Sequence, residues 1–428
     1  MSSARGGSQS SGRGAVWASL FLILIATLSP GNWSEWGGHA QVWDGGLADI
    51  LINVALFAPF GAALSRRGRT ASGALLVGAV LASVVEIAQL GVPGRVASLT
   101  DVLSDTVGTV AGWVLWRTHL AWVGPKREVA GRLALAAACI VAAIVGVTGA
   151  LLAPSFPSTR YFGGWTHEFG HLSVYHGQVL DASVGGTVIP SGPVLHSAEL
   201  RRRLIGRETL KVRAVAGPPV AALAPLLSIH DEHQQEILLL GADKEDLVYR
   251  FRTRAAALGL DSPDLRLEGV LRGIHPGTPL MVVVSPQGAG YCIDVSGTST
   301  CGIGFTAGMG WGLLLFHQLP PWTHGLLSVL WVAGLMFPLG YWARARWECG
   351  LAVAMVAAAL LLLPSTIGLV RTPPQELAAA LVGLFAGLMV QVLPAVRRAR
   401  PDEASTRCSP SRPEPATFNA PRNTARRR

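Results

Sequence analysis

The sequence predicts a multi-pass α-helical membrane protein that carries an extracytoplasmic all-β domain. Three observations predict it. Half of the 428 residues are hydrophobic and 14% are charged, against about 25% charged in an ordinary soluble domain. Apolar runs of the length needed to cross a bilayer recur near both ends of the chain. Between them lies a long polar stretch in which apolar residues alternate with a period of two.

A spanning helix needs about 20 mostly apolar residues. Residues 1–14 hold only Ser, Gly, Arg, Gln, Ala and the initial Met, and read as a disordered cytoplasmic start. Residues 15–153 hold five runs, Ala15–Leu28, Ala48–Ser65, Ala71–Gly91, Asp101–Leu120 and Leu133–Ala153. Residues 322–396 hold three more, Thr323–Trp342, Glu348–Val370 and Glu376–Val396. The expectation is about eight spans, with Pro338 and Pro364 as kinks. Ala15–Leu28 reads as an uncleaved helix, because no small-x-small cleavage site precedes Pro30.

The formal net charge of +9 raises the question of nucleic acid. The positions of the charges answer it. Arg66, Arg67 and Arg69 follow the second run, and Arg117, Lys126, Arg127 and Arg132 surround the loop after the fourth. Arg344 and Arg346 follow the sixth, and Arg397, Arg398 and Arg400 follow the eighth. All fall on one side if both termini are cytoplasmic, which is the positive-inside pattern. No nucleic-acid motif accompanies them, so the bilayer is the expected partner and nucleic acid is not. Trp33, Trp36 and Trp43, with Trp113 and Trp116, suit interfacial positions. The basic residues 397–428 form a disordered cytoplasmic tail ending in Arg426-Arg-Arg428, suited to anionic lipid.

Residues 154–321 are thereby placed outside the cytoplasm, and they read as strands. Leu210–Val215 alternates apolar and basic residues. Leu247–Arg254 puts Arg250, Arg252 and Arg254 on one face and Tyr249 and Phe251 on the other. Pro225–Ile229, Glu236–Leu240, Leu280–Val284 and Tyr291–Val295 are further strands, separated by turn-rich pieces. Many short strands joined in this way predict a sandwich or jelly roll. The glycines of Gly304–Phe316 favour a closing strand there over a helix. Cys292 and Cys301 flank a short polar loop: they form a disulfide in an oxidising compartment, or remain two free thiols.

The first half of the chain carries polar groups at helix edges: Asp49, Asn53, Glu86, Gln89, Arg95, Asp101 and Asp105. An ionisable residue inside a span costs about 2.5–3.5 kcal/mol on insertion scales. Glu86 and Gln89 are three apart and Asp101 and Asp105 four apart, so each pair shares a helix face. All lie at the ends expected to face outward. Either they pair structurally at the interface or they line an outward-facing pocket for a ligand, a substrate or an ion.

These same residues give a resemblance. Asn53-Val-Ala-Leu-Phe-Ala-Pro-Phe-Gly61, Glu86-Ile-Ala-Gln89, Arg95 and Asp101-Val-Leu-Ser-Asp-Thr-Val-Gly108 with Gly112 resemble the VanZ-like family, within about residues 49–117. Asp105 stands where that pattern usually has asparagine. The resemblance implies a link to teicoplanin resistance and no settled reaction. More weakly, Leu172–Gly177 leading into the strands of Leu210–Arg254 resembles a concanavalin A-like or laminin G-like jelly roll, a fold that often binds carbohydrate.

Three further signals are set aside. His167-Glu-Phe-Gly-His171 matches the H-E-x-x-H pattern, which needs a helix to aim both histidines at one zinc; the surrounding glycines and the following strand argue against one. His230-Asp-Glu-His233 reads as a polar turn. Asn32-Trp-Ser34 fits a glycosylation acceptor only on a eukaryotic secretory route. No metal or cofactor is expected. The favoured expectation is a non-enzymatic membrane protein of the cell envelope that binds a cell-wall glycan, a lipid-linked precursor or a glycopeptide through Asn53, Glu86, Gln89, Arg95, Asp101 and Asp105. The alternative is a membrane enzyme using the Glu86, Asp101 and Asp105 carboxylates on a lipid-linked or wall substrate.

Overall fold

The computed structural model describes residues 6–29, 39–41, 46–92, 95–166, 169–170, 172–343 and 346–399. The first part is helical: α1 Gly6–Leu28, α2 Leu47–Arg66, α3 Ala71–Gln89, α4 Leu99–Arg117, the single turn α5 His119–Val123 and α6 Arg127–Leu152. Helix α1 begins at Gly6, so its first turns cover residues that composition alone assigns to a disordered start. A parallel two-stranded ribbon, β1 His39–Gln41 with β2 Val96–Ser98, ties the entry to α2 to the entry to α4. Trp33, Trp36, Trp43, the Asn32 acceptor, His167, Glu168, His171, Arg344 and the tail from Arg400 lie outside the described residues.

Among the described residues, five helices are long and apolar enough to cross a membrane: Leu47–Arg66, Ala71–Gln89, Arg127–Leu152, Pro321–Trp342 and Pro374–Gln391. Helix α3 shows how such a helix is built. Ala74, Gly78, Ala82, Val85, Glu86 and Gln89 turn inward at a helical period, while Leu76, Val84 and Ile87 stand exposed on the other side. Apolar side chains point outward and polar ones inward, which hydrocarbon favours and water does not. Helix α4 carries Asp101, Ser104, Asp105, Thr106 and Thr109 and is less apolar.

The middle of the chain folds into two six-stranded antiparallel sheets. In chain order the strands are β3 Tyr161–Trp165, β4 Gln178–Val184, β5 Thr187–Val188, β6 Gly192–Pro193, β7 Leu210–Val215, β8 Ala224–Asp231, β9 Glu236–Asp243, β10 Asp246–Phe251, β11 Leu265–Leu267, β12 Pro279–Gln287, β13 Gly290–Val295 and β14 Thr298–Ile303. A nine-residue helix, α7 Ser197–Ile205, packs beside β4 and β5. One sheet runs β11-β10-β9-β8-β3-β6 and the other β14-β13-β12-β7-β4-β5. The alternation in Leu210–Val215 is realised residue by residue, with Leu210, Val212 and Ala214 buried and Lys211 and Arg213 exposed. Tyr249 and Phe251 of β10 meet Tyr291 of β13 across the gap between the sheets, giving a sandwich-like core. Ion pairs lock one edge: Arg250 bonds Asp264 and Glu236, and Arg266 bonds Asp243 and Asp246. Burial pushes the Glu236 carboxyl above its ordinary value, with Arg250 pulling the other way. Cys292 and Cys301 are joined by a disulfide across the β13–β14 pair.

Two expectations in and just after the sandwich need correcting. Arg254 does not extend the β10 face; it begins a 3-10 turn, Arg254–Leu258. Gly304–Phe316 holds no strand but a 3-10 turn, Ala307–Trp311, followed by the short helix α8 Gly312–Leu315. Glycine is needed there for close approach, because a Cβ on Gly308 would strike the Glu376 carboxyl group.

The chain returns to long helices with α9 His324–Trp342, α10 Arg346–Leu361, the single turn α11 Leu363–Thr366 and α12 Pro374–Ala399. The expected single run Glu348–Val370 is thus broken at Leu362. Pro364 has no N–H to continue the ladder and its ring crowds the turn before it. The sandwich is fixed to the helices at several points. The Ser155 N–H donates to the Arg252 carbonyl and the Arg254 N–H to the Ala153 carbonyl, so the segment just after β10 is bonded to the exit of α6. Gly46, at the entry to α2, meets Gly259 backbone to backbone.

Candidate functional site

The polar residues of the first four helices come together because of how α2 and α4 pack. A Cβ added at Gly61 would fall on the Thr109 carbonyl, at Gly108 on that of Val54, and at Gly112 on that of Ala58. Gly108 and Gly112 form a G-x-x-x-G face, which lets two helix backbones touch. This approach brings the starts of α2 and α4 side by side. The end of α3 and the end of α1 close around them.

Ala26 and Thr27 of α1, Asp49, Ile52, Asn53 and Leu56 of α2, Glu86 and Gln89 of α3, Arg95, Val96, Ser98, and Asp101 and Asp105 of α4 line one cavity of about 550 Å³. Gln318, from the segment after the sandwich, lines it as well. All six residues singled out as a pocket from the sequence, Asn53, Glu86, Gln89, Arg95, Asp101 and Asp105, share this wall. The cavity lies at the starts of α2 and α4, the ends near the backbone contact of Gly46 with Gly259. Arg66, Arg67, Arg69 and Arg117 lie at the opposite ends of α2 and α4.

Each polar group has a definite arrangement. The Asn53 side-chain amide donates to Asp101 Oδ1 at 2.9 Å. The Ser98 N–H donates to Glu86 Oε2 at 2.6 Å, which pins the start of α4 to the end of α3. Ser98 in turn caps α4, its Oγ accepting from the Thr100 N–H. Asp101 sits in the first turn of α4 and Asp49 in the first turn of α2, where the positive end of the helix dipole favours a carboxylate. Gln89 Nε2 donates to the Thr27 carbonyl at 3.1 Å. Arg95 donates from Nε to the Ser29 carbonyl and from Nη2 to the Ala26 carbonyl. It therefore caps the end of α1, and among the described residues it forms no ion pair.

Two acceptors remain unused. Asp105 is 2% exposed and Gln89 6%, yet Asp105 Oδ1 and Gln89 Oε1 have no hydrogen-bond partner among the described residues. The large majority of buried side-chain polar atoms in folded proteins find a partner, so two orphans on one cavity wall mark it out. Among the described residues no group of three His, Cys, Asp or Glu is placed to hold a metal ion.

Spacing within apolar runs found the side chains of this wall. It missed the backbone groups that orient them, the Ser98 N–H and the carbonyls of Ala26, Thr27 and Ser29, and it missed Gln318. Backbone donors leave no trace in residue identity, and Gln318 is distant in the chain. In the sandwich, Asp231 Oδ1 accepts from the N–H groups of His233 and Gln235, so His230–His233 includes a polar turn.

Residues 2–122 match the model of the VanZ/LLP1 family. The match spans α1 to α4 and includes every residue of the cavity wall except Gln318. No curated protein and no solved structure matches the chain.

Proposed function

We propose that the chain is a multi-pass envelope protein that binds a cell-wall, glycan or glycopeptide-type ligand at its outer face, in the cavity lined by Asn53, Glu86, Gln89, Arg95, Asp101 and Asp105. In this reading all eight apolar helical segments cross the bilayer and both termini are cytoplasmic. Residues 154–321 are a concanavalin A-like jelly roll outside, which contacts glycan or a partner. The ligand class connects the chain to glycopeptide (teicoplanin) resistance through its VanZ/LLP1 match.

The observation that carries this reading is that the cavity and the sandwich share one side of the helices, while the basic residues Arg66, Arg67, Arg69 and Arg117 take the other. Cytoplasmic ends collect Lys and Arg, so the cavity belongs outside. Two six-stranded antiparallel sheets, each with a hairpin meander, β8 to β11 and β12 to β14, support the jelly roll. The test uses single cysteines in a cysteine-free background, at Gln318, Arg272 and Arg69. Labelling of the first two but not the third from outside intact cells is expected. Labelling of Arg69→Cys alone would overturn the outward-facing site. In nanodiscs, teicoplanin, a lipid-linked wall precursor and soluble glycan fragments are then offered to the purified protein, and binding of none of them would sink the ligand assignment.

A second reading is acid–base chemistry on a lipid-linked substrate. It is favoured by the unlike surroundings of the carboxyls in one cavity: Glu86 and Asp101 accept hydrogen bonds while Asp105 Oδ1 does not. Unlike environments are what separate an acid from a base. Turnover lost in Glu86→Gln with binding kept would select this reading.

A further inference from the structure

The donors and acceptors on the cavity wall are unevenly used. Asn53 Nδ2 is given to Asp101, Gln89 Nε2 to Thr27, the Ser98 N–H to Glu86, and Arg95 to the carbonyls of Ser29 and Ala26. The buried wall atoms left without any partner among the described residues are both acceptors: Asp105 Oδ1 and Gln89 Oε1. A ligand that completes this wall must bring hydrogens.

Charge narrows the choice. Four carboxyl groups, Asp49, Glu86, Asp101 and Asp105, line the cavity against one guanidinium, Arg95. A phosphate or carboxylate ligand would meet this surplus with one guanidinium to receive it, and that guanidinium already donates to the Ser29 and Ala26 carbonyls. A metal ion would need several ligands converging on one point, and no such group exists among the described residues. A neutral hydroxyl supplies one hydrogen to two open acceptors. A primary ammonium supplies three hydrogens and a positive charge. Hydrogen bonds between it and a carboxylate are about twice as strong as neutral ones. At about 550 Å³ the cavity lies within the range of small-molecule sites, with room for a scaffold larger than the ammonium alone.

We propose that the cavity takes a primary ammonium carried on a hydroxyl-bearing scaffold, the chemistry a free amino sugar presents, with Asp105 receiving the ammonium and Gln89 Oε1 accepting a second hydrogen. This rests on the ligand-binding reading above and narrows it from an envelope ligand in general to a cationic one. It also gives a reason for a carboxylate at position 105. An asparagine there offers an acceptor without charge, so the carboxylate adds selection for a cation.

The experiment is binding of D-glucosamine and N-acetyl-D-glucosamine to the full chain in nanodiscs, read by saturation-transfer NMR with titration. The two sugars share a scaffold, and acetylation removes the ammonium. Glucosamine is expected to bind at least about tenfold more tightly, the value of one charge-assisted hydrogen bond. Asp105→Asn is expected to remove most of that preference while the melting temperature holds. Equal affinity for the two sugars, preference for the acetylated one, or a preference that survives Asp105→Asn each overturns the ammonium assignment. Those outcomes leave the wider reading standing, because a ligand is still bound. Failure of both sugars while teicoplanin or the lipid-linked precursor binds also overturns it and spares the wider reading. Failure of all of them removes both.

Discussion

Helices α2 and α4 approach through Gly61, Gly108 and Gly112, and helices α9 and α12 approach through Gly340, Gly383 and Gly387. In each pair an added Cβ would fall on a carbonyl of the facing helix: Thr109, Val54 and Ala58 in the first, Leu384, Ala333 and Phe337 in the second. Both pairs also bury a carboxyl group near a helix start. In the second pair it is Glu376, 3% exposed, and its two oxygens accept from the Thr306 hydroxyl and the Gly308 N–H. In the first it is Asp105, as deeply buried, with Oδ1 unmet. The packing device is common to both. The satisfaction of the buried acid is not, and that difference separates a carboxyl that holds the fold together from one kept for something else.

The largest effects test what the two pairs share. Gly112→Leu and Gly383→Leu each force a branched side chain into a backbone-to-backbone contact, at a cost of more than about 3 kcal/mol. Both variants are expected to lose the folded monomer peak in detergent gel filtration. If Gly112→Leu stays folded while Gly383→Leu does not, the two interfaces are not equivalent and the comparison fails at its base.

The next effect tests what they do not share. Glu376→Ala strips the Thr306 hydroxyl and the Gly308 N–H of their acceptor at a buried site. Each stranded group costs about 1–3 kcal/mol, so a loss of about 2–4 kcal/mol and a clear drop in melting temperature are expected. Asp105→Asn strands nothing that is now paired. Its expected change is smaller, about 1 kcal/mol or less, since one carboxyl oxygen becomes an NH2 group and no group now paired loses its partner. A drop after Asp105→Asn equal to that after Glu376→Ala would show that Asp105 is a structural acid like its counterpart.

Sequence showed one side of this contrast better than the other. Glu86, Gln89, Asp101 and Asp105 stand out because each interrupts or borders an apolar run at a helical spacing. The strands with strict alternation, Leu210–Val215 above all, were equally legible. The sequence marks Glu376 only as the start of a span, because its partners sit some 70 residues earlier, one a backbone N–H. Strand β14 is mostly exposed and polar, so it lacks the pattern that marks a half-buried strand. The glycines of Gly304–Phe316 signalled extension by frequency, whereas Gly308 is there because Glu376 lies against it. Long-range contact decided each of these, and residue periodicity carries no record of it.

The smallest effect concerns Arg95, which separates capping from ligand contact within the first pair's own site. Its Nε and Nη2 hold the Ser29 and Ala26 carbonyls at the end of α1, and both bonds lie at an exposed edge of the cavity. A cation at a helix C-terminus contributes about 0.3–1 kcal/mol when exposed. Arg95→Met is expected to cost about that much, read as a small fall in melting temperature that salt reduces in wild type and leaves alone in the variant. Arg95→Lys keeps the charge but not the planar fork, so it recovers the dipole contribution and one of the two bonds. Glucosamine affinity should change little in either variant, because the guanidinium is committed to carbonyls and the wall's charge stays acidic. A large fall in affinity for Arg95→Lys would place Arg95 on the ligand and turn the cavity from a cation site into a mixed one.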